Sequence, residues 1–299
     1  MLRLIFLRKI IPGNCRTIFI LDVGSKANQE LDKKVTLSRI QRLLEENPII
    51  YQYSSIEGAK PLLNEMTLMI KNPITFNDPH DCDLRLVNFN SVKKENLKES
   101  IKKFNSSQQN SNIDYEYLST EKIKHTYEKL IFPNLFDTFG VACFSKNCDN
   151  SLMWSHYTYS HKGICIGFDI MKLYLNLSAL RPKELALIEV NYTEKFESID
   201  YFEQKDDAIH HWIRTKSSIW EYEEEIRILF TNLTFNYHKK ILFEFDKRAI
   251  SQIILGYKID PKDEIWIKKF CKNNLPDIEI YKMEKVENSF ELKLEKIKF

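Results

Sequence analysis

Gly140-Val141-Ala142-Cys143-Phe144-Ser145, then Met153-Trp154-Ser155-His156-Tyr157, then His161-Lys162-Gly163, closing on Ile164-Cys165-Ile166-Gly167-Phe168-Asp169, is the stretch on which the fold turns. Over about thirty residues it reads as a strand, a polar turn, a short aromatic-rich helix and a second strand. Asn147-Cys148-Asp149-Asn150 supplies the turn, with Asp149 or Asn150 as the cap of the helix. Met153 and Tyr157 stand one helical turn apart, as do Leu152 and His156, so one pair packs inward while the other faces solvent or a pocket. Trp, His, Tyr, Ser and Lys all fall near the strand ends, where folds present polar groups to ligands.

Downstream of this stretch the strands multiply. They are expected at Ala186–Tyr192, Glu225–Phe230, Ile241–Phe245, Ile253–Tyr257, Ile278–Met283 and Phe290–Leu294, beside Val141–Ser145 and Ile164–Ile170. Helices are expected at about 206–219 and 261–273, the second with Trp266, Ile267, Phe270 and Cys271 on one apolar face. Upstream, the spacing predicts a helix over 36–46, a strand at Ile49–Tyr53, a short helix near 56–64 and a strand at Thr67–Ile70. Strands broken by occasional helices, without regular βαβ alternation, predict an α+β fold with a mixed or antiparallel sheet. One composite domain over 36–299 is expected, preceded by a strand-like or irregular extension over 1–35. The lysine- and glutamate-rich segment 93–130, polar at 105–112, reads as an insertion of two surface helices and a linker.

Composition narrows the function classes. Of 299 residues, 43% are apolar and 29% charged, as in a soluble globular protein. Seven glycines and the lack of GxGxxG or GxxxxGK[ST] argue against a Gly-rich phosphate loop. A net charge of +2 leaves no electrostatic footprint for sequence-indifferent nucleic-acid binding. Arg3, Arg8, Lys9 and Arg16 interrupt the apolar N-terminus, so no signal peptide or membrane span is expected. Cys15, Cys82, Cys143, Cys148, Cys165 and Cys271 form no CxxC and read as free thiols, which suits a reducing cytoplasm.

The densest chemistry lies at Trp220-Glu221-Tyr222-Glu223-Glu224-Glu225-Ile226-Arg227. On a strand, Ile226, Ile228 and Phe230 share one face, and Glu223, Glu225 and Arg227 project together from the other. Paired carboxylates push each other's pKa apart while the arginine draws one toward ionisation, which suits an acid or an electrostatic stabiliser. The plainer alternative is a solvated, salt-bridged strand face, which Trp220 and Tyr222 oppose by walling off water. Phe76-Asn77-Asp78-Pro79-His80-Asp81 is a loop that either holds a metal or forms a turn braced by its Asn and Asp side chains. His156 and His161 are too poorly spaced for a metal pair, and no GxSxG nucleophile elbow occurs.

Tyr51-x-Tyr53, Phe76-Asn77-Asp78-Pro79-x-Asp81, Cys143-Phe144-Ser145, Met153-Trp154-x-x-Tyr157, His161-Lys162-Gly163, Tyr192, Lys216 and Trp220-x-Tyr222-Glu223-x-Glu225-x-Arg227 resemble the bacterial domain-of-unknown-function family 2971, in order over about 49–257. More distantly, the order of these pieces is similar to the ADP-ribosyltransferases. That resemblance implies a split sheet around a cleft for NAD. It implies that Ser145 steadies the cleft, that Tyr157 stacks on nicotinamide, that Glu225 bonds the ribose and stabilises the oxocarbenium-like transition state, and that Glu223 orients the acceptor. Tyr51, Tyr53, Trp154, His156 and Arg227 would complete the dinucleotide-binding set, while Gln52 departs from the basic anchor usual on the first strand. The implied enzyme is cytoplasmic and metal-free, cleaves the nicotinamide–ribose bond, and passes ADP-ribose to a protein or nucleic-acid acceptor or to water. A toxin or phage-defence setting enters by the same analogy. Two alternatives stand beside it: a metal-dependent nuclease or phosphohydrolase using Glu223, Glu225, Asp78 and Asp81, and a non-catalytic ligand- or protein-binding domain.

Overall fold

The structure, a computed structural model, describes residues 45–96, 119–180 and 184–298, together with Leu43 and the backbone of two N-terminal strands. In chain order the strands are β1 (Arg3–Arg8), β2 (Thr17–Asp22), β3 (Ile49–Ser54), β4 (Thr67–Lys71), β5 (Val87–Asn88), β6 (Gly140–Ser145), β7 (Ile164–Asp169), β8 (Leu185–Glu189), β9 (Asn191–Thr193), β10 (Ile199–Asp200), β11 (Thr215–Ser217), β12 (Glu225–Phe230), β13 (Lys240–Glu244), β14 (Ile250–Leu255), β15 (Glu279–Lys285) and β16 (Leu292–Ile297). The helices are α1 (Ile56–Glu65), α2 (Thr120–Thr126), α3 (Phe132–Phe136), α4 (Ser151–Tyr157), α5 (Ile170–Leu180), α6 (Lys205–Arg214) and α7 (Pro261–Asn274). The fold is α+β, built on one large mixed sheet.

That sheet runs β13-β4-β6-β3-β7-β14-β15-β16, and β12 followed by β8 attaches to β6 as a branch. The branch point creates the site. On one edge β6 pairs with β12 along its whole length, from Gly140↔Phe230 to Ser145↔Glu225. On its other edge β6 meets β3 only at Ser145↔Tyr51 and β4 only at Val141↔Lys71. Ala142, Cys143 and Phe144 have no strand partner there, because β3 turns away to pair with β7 and β4 to pair with β13. Helix α1 connects β3 to β4 across this fork.

Both faces of the sheet are covered. Alternation along β12 turns Ile226, Ile228 and Phe230 into one core with Ile50, Leu68, Ile166, Phe168, Leu173 and Ile267. The opposite face carries two separate apolar clusters. In one, Phe89, Tyr127, Phe132, Phe136 and Trp212 pack on Val141, Ile188 and Leu229. In the other, Trp154 packs with Cys148, Cys165, Ile254 and Met283. The buried charges described below lie on this same face.

Several expectations need correcting. The apolar run at Ile164–Ile170 does not stay extended: β7 ends at Asp169, whose carboxylate accepts from the backbone N–H of Lys172 and starts α5, a helix the sequence reading left out. The strand expected at Ala186–Tyr192 is two, β8 and β9, separated at Val190. The helix expected to 219 stops at Arg214 and gives way to β11 and a 3-10 turn at Ser218–Glu223. In the N-terminal extension, β1 and β2 pair antiparallel from Arg3↔Asp22 to Arg8↔Thr17. Most of the helix expected over 36–46, and 97–118 of the expected insertion, lie outside the described residues.

Candidate functional site

The fork between β3 and β4 opens into a cavity of about 710 Å³, lined from both faces of the sheet. Its polar lining includes Asn77 and Asp81 from the loop after β4, Ser145 from β6, Tyr157 from α4, Lys216 from β11, Glu223 from the 3-10 turn and Glu225 from β12, with Glu57 of α1 and Lys71 of β4. Pro61 and Leu62 of α1, Met69 of β4 and Leu242 of β13 add apolar lining. Tyr51, Tyr53, Phe76, Met153 and His156 also line it.

Each functional side chain is placed by local rules. Asn150 caps α4, its side-chain oxygen accepting from the N–H groups of Leu152 and Met153. This aims Tyr157, at the end of the helix, toward Glu223, and the phenol donates to Glu223 Oε1 at 2.5 Å. Glu223 does not belong to the strand. It closes the 3-10 turn, and Glu224 follows with φ of 43°, so the two carboxylates converge through a backbone reversal rather than through strand alternation.

Convergence is nonetheless tight. Glu223 and Glu225 are each only 4% exposed, and Arg227 is fully buried. Lys216 Nζ lies 2.5 Å from Glu223 Oε2, 2.9 Å from Glu225 Oε2 and 3.3 Å from Asp81 Oδ2. Arg227 Nε donates to Glu225 Oε1 at 2.8 Å, and Nη2 donates to both oxygens of Asp81 at 2.9 and 2.6 Å. Its Nη1 donates to the Ile213 carbonyl and to Cys82 Sγ. Two cations thus face three carboxylates.

The pKa directions follow. Burial pushes the Glu225 carboxyl up, but Arg227 and Lys216 outweigh it and hold the group at about 2. Burial pulls the Lys216 ammonium down, and the surrounding carboxylates, Glu225 foremost, more than reverse this. For Tyr157, burial and the adjacent Glu223 both raise the phenol, so it stays a donor. The Cys143 thiol is pushed well up by burial and by Glu225, which disfavours a thiolate nucleophile.

Not every residue of the expected set reaches the cavity. Trp154 is a core residue: it is fully buried, its indole N–H donates to the Cys148 carbonyl, and Tyr53 meets it edge-on. Arg227 is walled in behind Glu225 and Asp81, and acts on a ligand only through them. Ser145, Tyr51, Tyr53, His156, Tyr157, Glu223 and Glu225 do line one cavity. The Ser145 hydroxyl accepts from the Asn147 N–H, Tyr53 donates to the Asn147 carbonyl, and Tyr51 accepts from Gln252. In the loop at 76–81, Asp78 braces the turn by accepting from the His80 N–H, as in the second alternative, while Asp81 pairs with Lys216 and Arg227 in the charge cluster. The place of Lys216 at the centre of that cluster was missed. Its signal was arithmetic, since three glutamates at 223–225 stand beside a single arginine.

Residues 153–228 match the family described as protein of unknown function DUF2971. The match is narrower than the 49–257 over which the motifs run, but it spans Met153 to Ile228 and so contains Tyr157, Lys216, Glu223, Glu225 and Arg227. No curated protein and no solved structure matches the chain. Among the described residues, no helix is long and apolar enough to cross a membrane.

Proposed function

We propose that the cavity is an active site that cleaves the nicotinamide–ribose bond of NAD, by hydrolysis or by transfer of ADP-ribose. The observation that carries this reading is the meeting of Ser145, Tyr157, Glu223 and Glu225, from separate chain segments, in one hollow of about 710 Å³. Ligand sites of roughly 300–1,000 Å³ suit molecules of nucleotide size. The lining carries four carboxylates, Glu57, Asp81, Glu223 and Glu225, against two lysines, Lys71 and Lys216, which favours a positively charged pyridinium over a phosphate. The aromatic lining of Tyr51, Tyr53, Phe76 and Tyr157 suits planar rings.

In this reading the C1′–N bond breaks and its electron pair neutralises the departing nicotinamide. Positive charge develops on the ribose, and a carboxylate fixed beside it stabilises that charge without reorganising. Water or an acceptor hydroxyl then attacks C1′, forming the C1′–O bond and releasing its proton to solvent. In this reading Glu223 takes the substrate-facing role. Both oxygens of Glu225 are engaged by the Arg227 guanidinium, and one of them by Lys216 as well, whereas Glu223 gives only Oε2 to a cation, Lys216, and its Oε1 accepts from the neutral Tyr157 phenol. This reverses the roles implied by the resemblance: Glu225 positions, Glu223 acts.

Free nicotinamide released on incubation with NAD tests the reading. Release by the wild type that falls about 100-fold or more in Glu223→Gln is the expected result, on the scale of losing one electrostatic stabiliser. No release with water, cell lysate or nucleic acid as acceptor, or full activity in Glu223→Gln, would reject it.

A further inference from the structure

Charge is unevenly distributed around the cavity. Asp81, Glu223 and Glu225 are all bound by Lys216, and two of them by Arg227 as well. Where β4 pairs with the edge strand β13, the sign reverses. The two strands run antiparallel, with Lys71 opposite Lys240, Met69 opposite Leu242 and Thr67 opposite Glu244. Leu68 and Ile70 enter the main core, so Thr67, Met69 and Lys71 project with their partners from the other face. Thr67, Met69, Lys71 and Leu242 line the cavity there.

Contacts within the chain leave three features of this strip unanswered. Two lysines face each other directly across the strands, which ordinarily destabilises a sheet. Among the described residues neither ammonium has an ion-pair partner: Asp137, in the loop before β6, gives both oxygens to Lys239, and Glu57 and Glu244 pair with neither lysine. Met69 and Leu242 stand side by side, 37% and 48% exposed, as an open apolar pair. The Thr67 hydroxyl oxygen is buried with no hydrogen-bond partner among the described residues.

We infer that this strip is a subsite for the diphosphate of a nucleotide, held between the ammonium groups of Lys71 and Lys240, with the base lying on Met69 and Leu242. An anion between the facing lysines replaces their repulsion with two charge-assisted hydrogen bonds. The Thr67 hydroxyl supplies a donor beside the apolar pair. Lys71 pairs with Val141 of β6 and Glu225 with Ser145, so the subsite stands about 13 Å along that strand and about 10 Å across it from the carboxylates. A cationic ring at one place and a diphosphate at the other is the charge pattern of NAD. For the identity of that ring the inference rests on the proposed reaction; the diphosphate subsite does not.

ADP and inorganic pyrophosphate carry no nicotinamide and test the subsite without turnover. Calorimetric titration of ADP into the wild type should show saturable binding that pyrophosphate displaces. Lys71→Gln and Lys240→Gln should each weaken ADP about tenfold, the loss of one charge-assisted contact. Without ligand both variants should unfold at the wild-type temperature or above it, because the facing charges are gone. With ADP they should lose most of the rise in Tm that the wild type shows. No ADP binding by the wild type, or ADP binding unchanged in Lys71→Gln/Lys240→Gln, would overturn the inference. Nicotinamide release with ADP binding indifferent to both lysines would remove the subsite and leave the reaction standing. ADP binding lost with the lysines, in a protein that releases no nicotinamide, would uphold the subsite and reject the reaction.

Discussion

Arg227 is the clearest case of a side chain whose chemistry is decided by what covers it. Alternation along β12 turns it away from the main core, and a solvated strand face is what that phase alone would suggest. Phe89, Tyr127, Phe132, Phe136 and Trp212 instead cover this side of the sheet. The guanidinium is sealed in and satisfied by Asp81, Glu225, Cys82 and the Ile213 carbonyl. Arg227→Met should destabilise the protein by about 3–5 kcal/mol in urea unfolding, because it strands two buried carboxylates. Glu225 predicts a pH signature. Its folded pKa of about 2 lies below the ordinary 4.5, so its contribution to stability is complete above 4.5 and is lost as pH falls toward 2. Glu225→Gln should be less stable near neutrality and should show a flatter loss of the urea midpoint across that acid window.

Among elements, α4 couples local sequence to the site most directly. Asn150 caps it, and the same side chain donates to the Tyr222 carbonyl, tying the helix start to the turn that carries Glu223. Asn150→Ala should therefore cost about 1 kcal/mol of stability through the lost cap. It should also weaken nicotinamide release, whereas Asn134→Ala, whose exposed side chain bonds only the Leu130 carbonyl, should leave release unchanged. Much at this scale was readable in the chain. The period-two pattern of Glu225–Phe230 and the Asn cap before Met153-Trp154 both led to the right elements. What was not readable has a common cause. Asp169 ends β7 and Glu224 reverses the chain before β12 through single-residue backbone choices, inside runs whose apolar or acidic character does not change. Trp154 was misplaced for a related reason, since an aromatic helix residue looks alike whether it faces a pocket or a core.

At the scale of the whole molecule, the cavity exists because β6 has two neighbours on one edge and neither follows it. Tyr51 at Ser145 and Lys71 at Val141 hold the two ends, and the interval between them is the opening. No local pattern announces such a fork; it arises from pairings between segments far apart in the chain. The carboxylates Asp81, Glu223 and Glu225 gather beside this opening, on the covered face of the sheet.

The most direct test of this account is a titration of NAD into methyl-labelled methionine protein carrying Glu223→Gln, which should bind without turning over. Met69 and Met153 line the cavity, whereas Met283 is buried in the cluster around Trp154 and Met66 and Met171 pack against the main core. Saturable shifts of the Met69 and Met153 methyls, with Met66, Met171 and Met283 unmoved, are predicted. Shifts confined to Met66, Met171 or Met283, or none at saturating NAD, would contradict the placement of the site in the fork of the sheet.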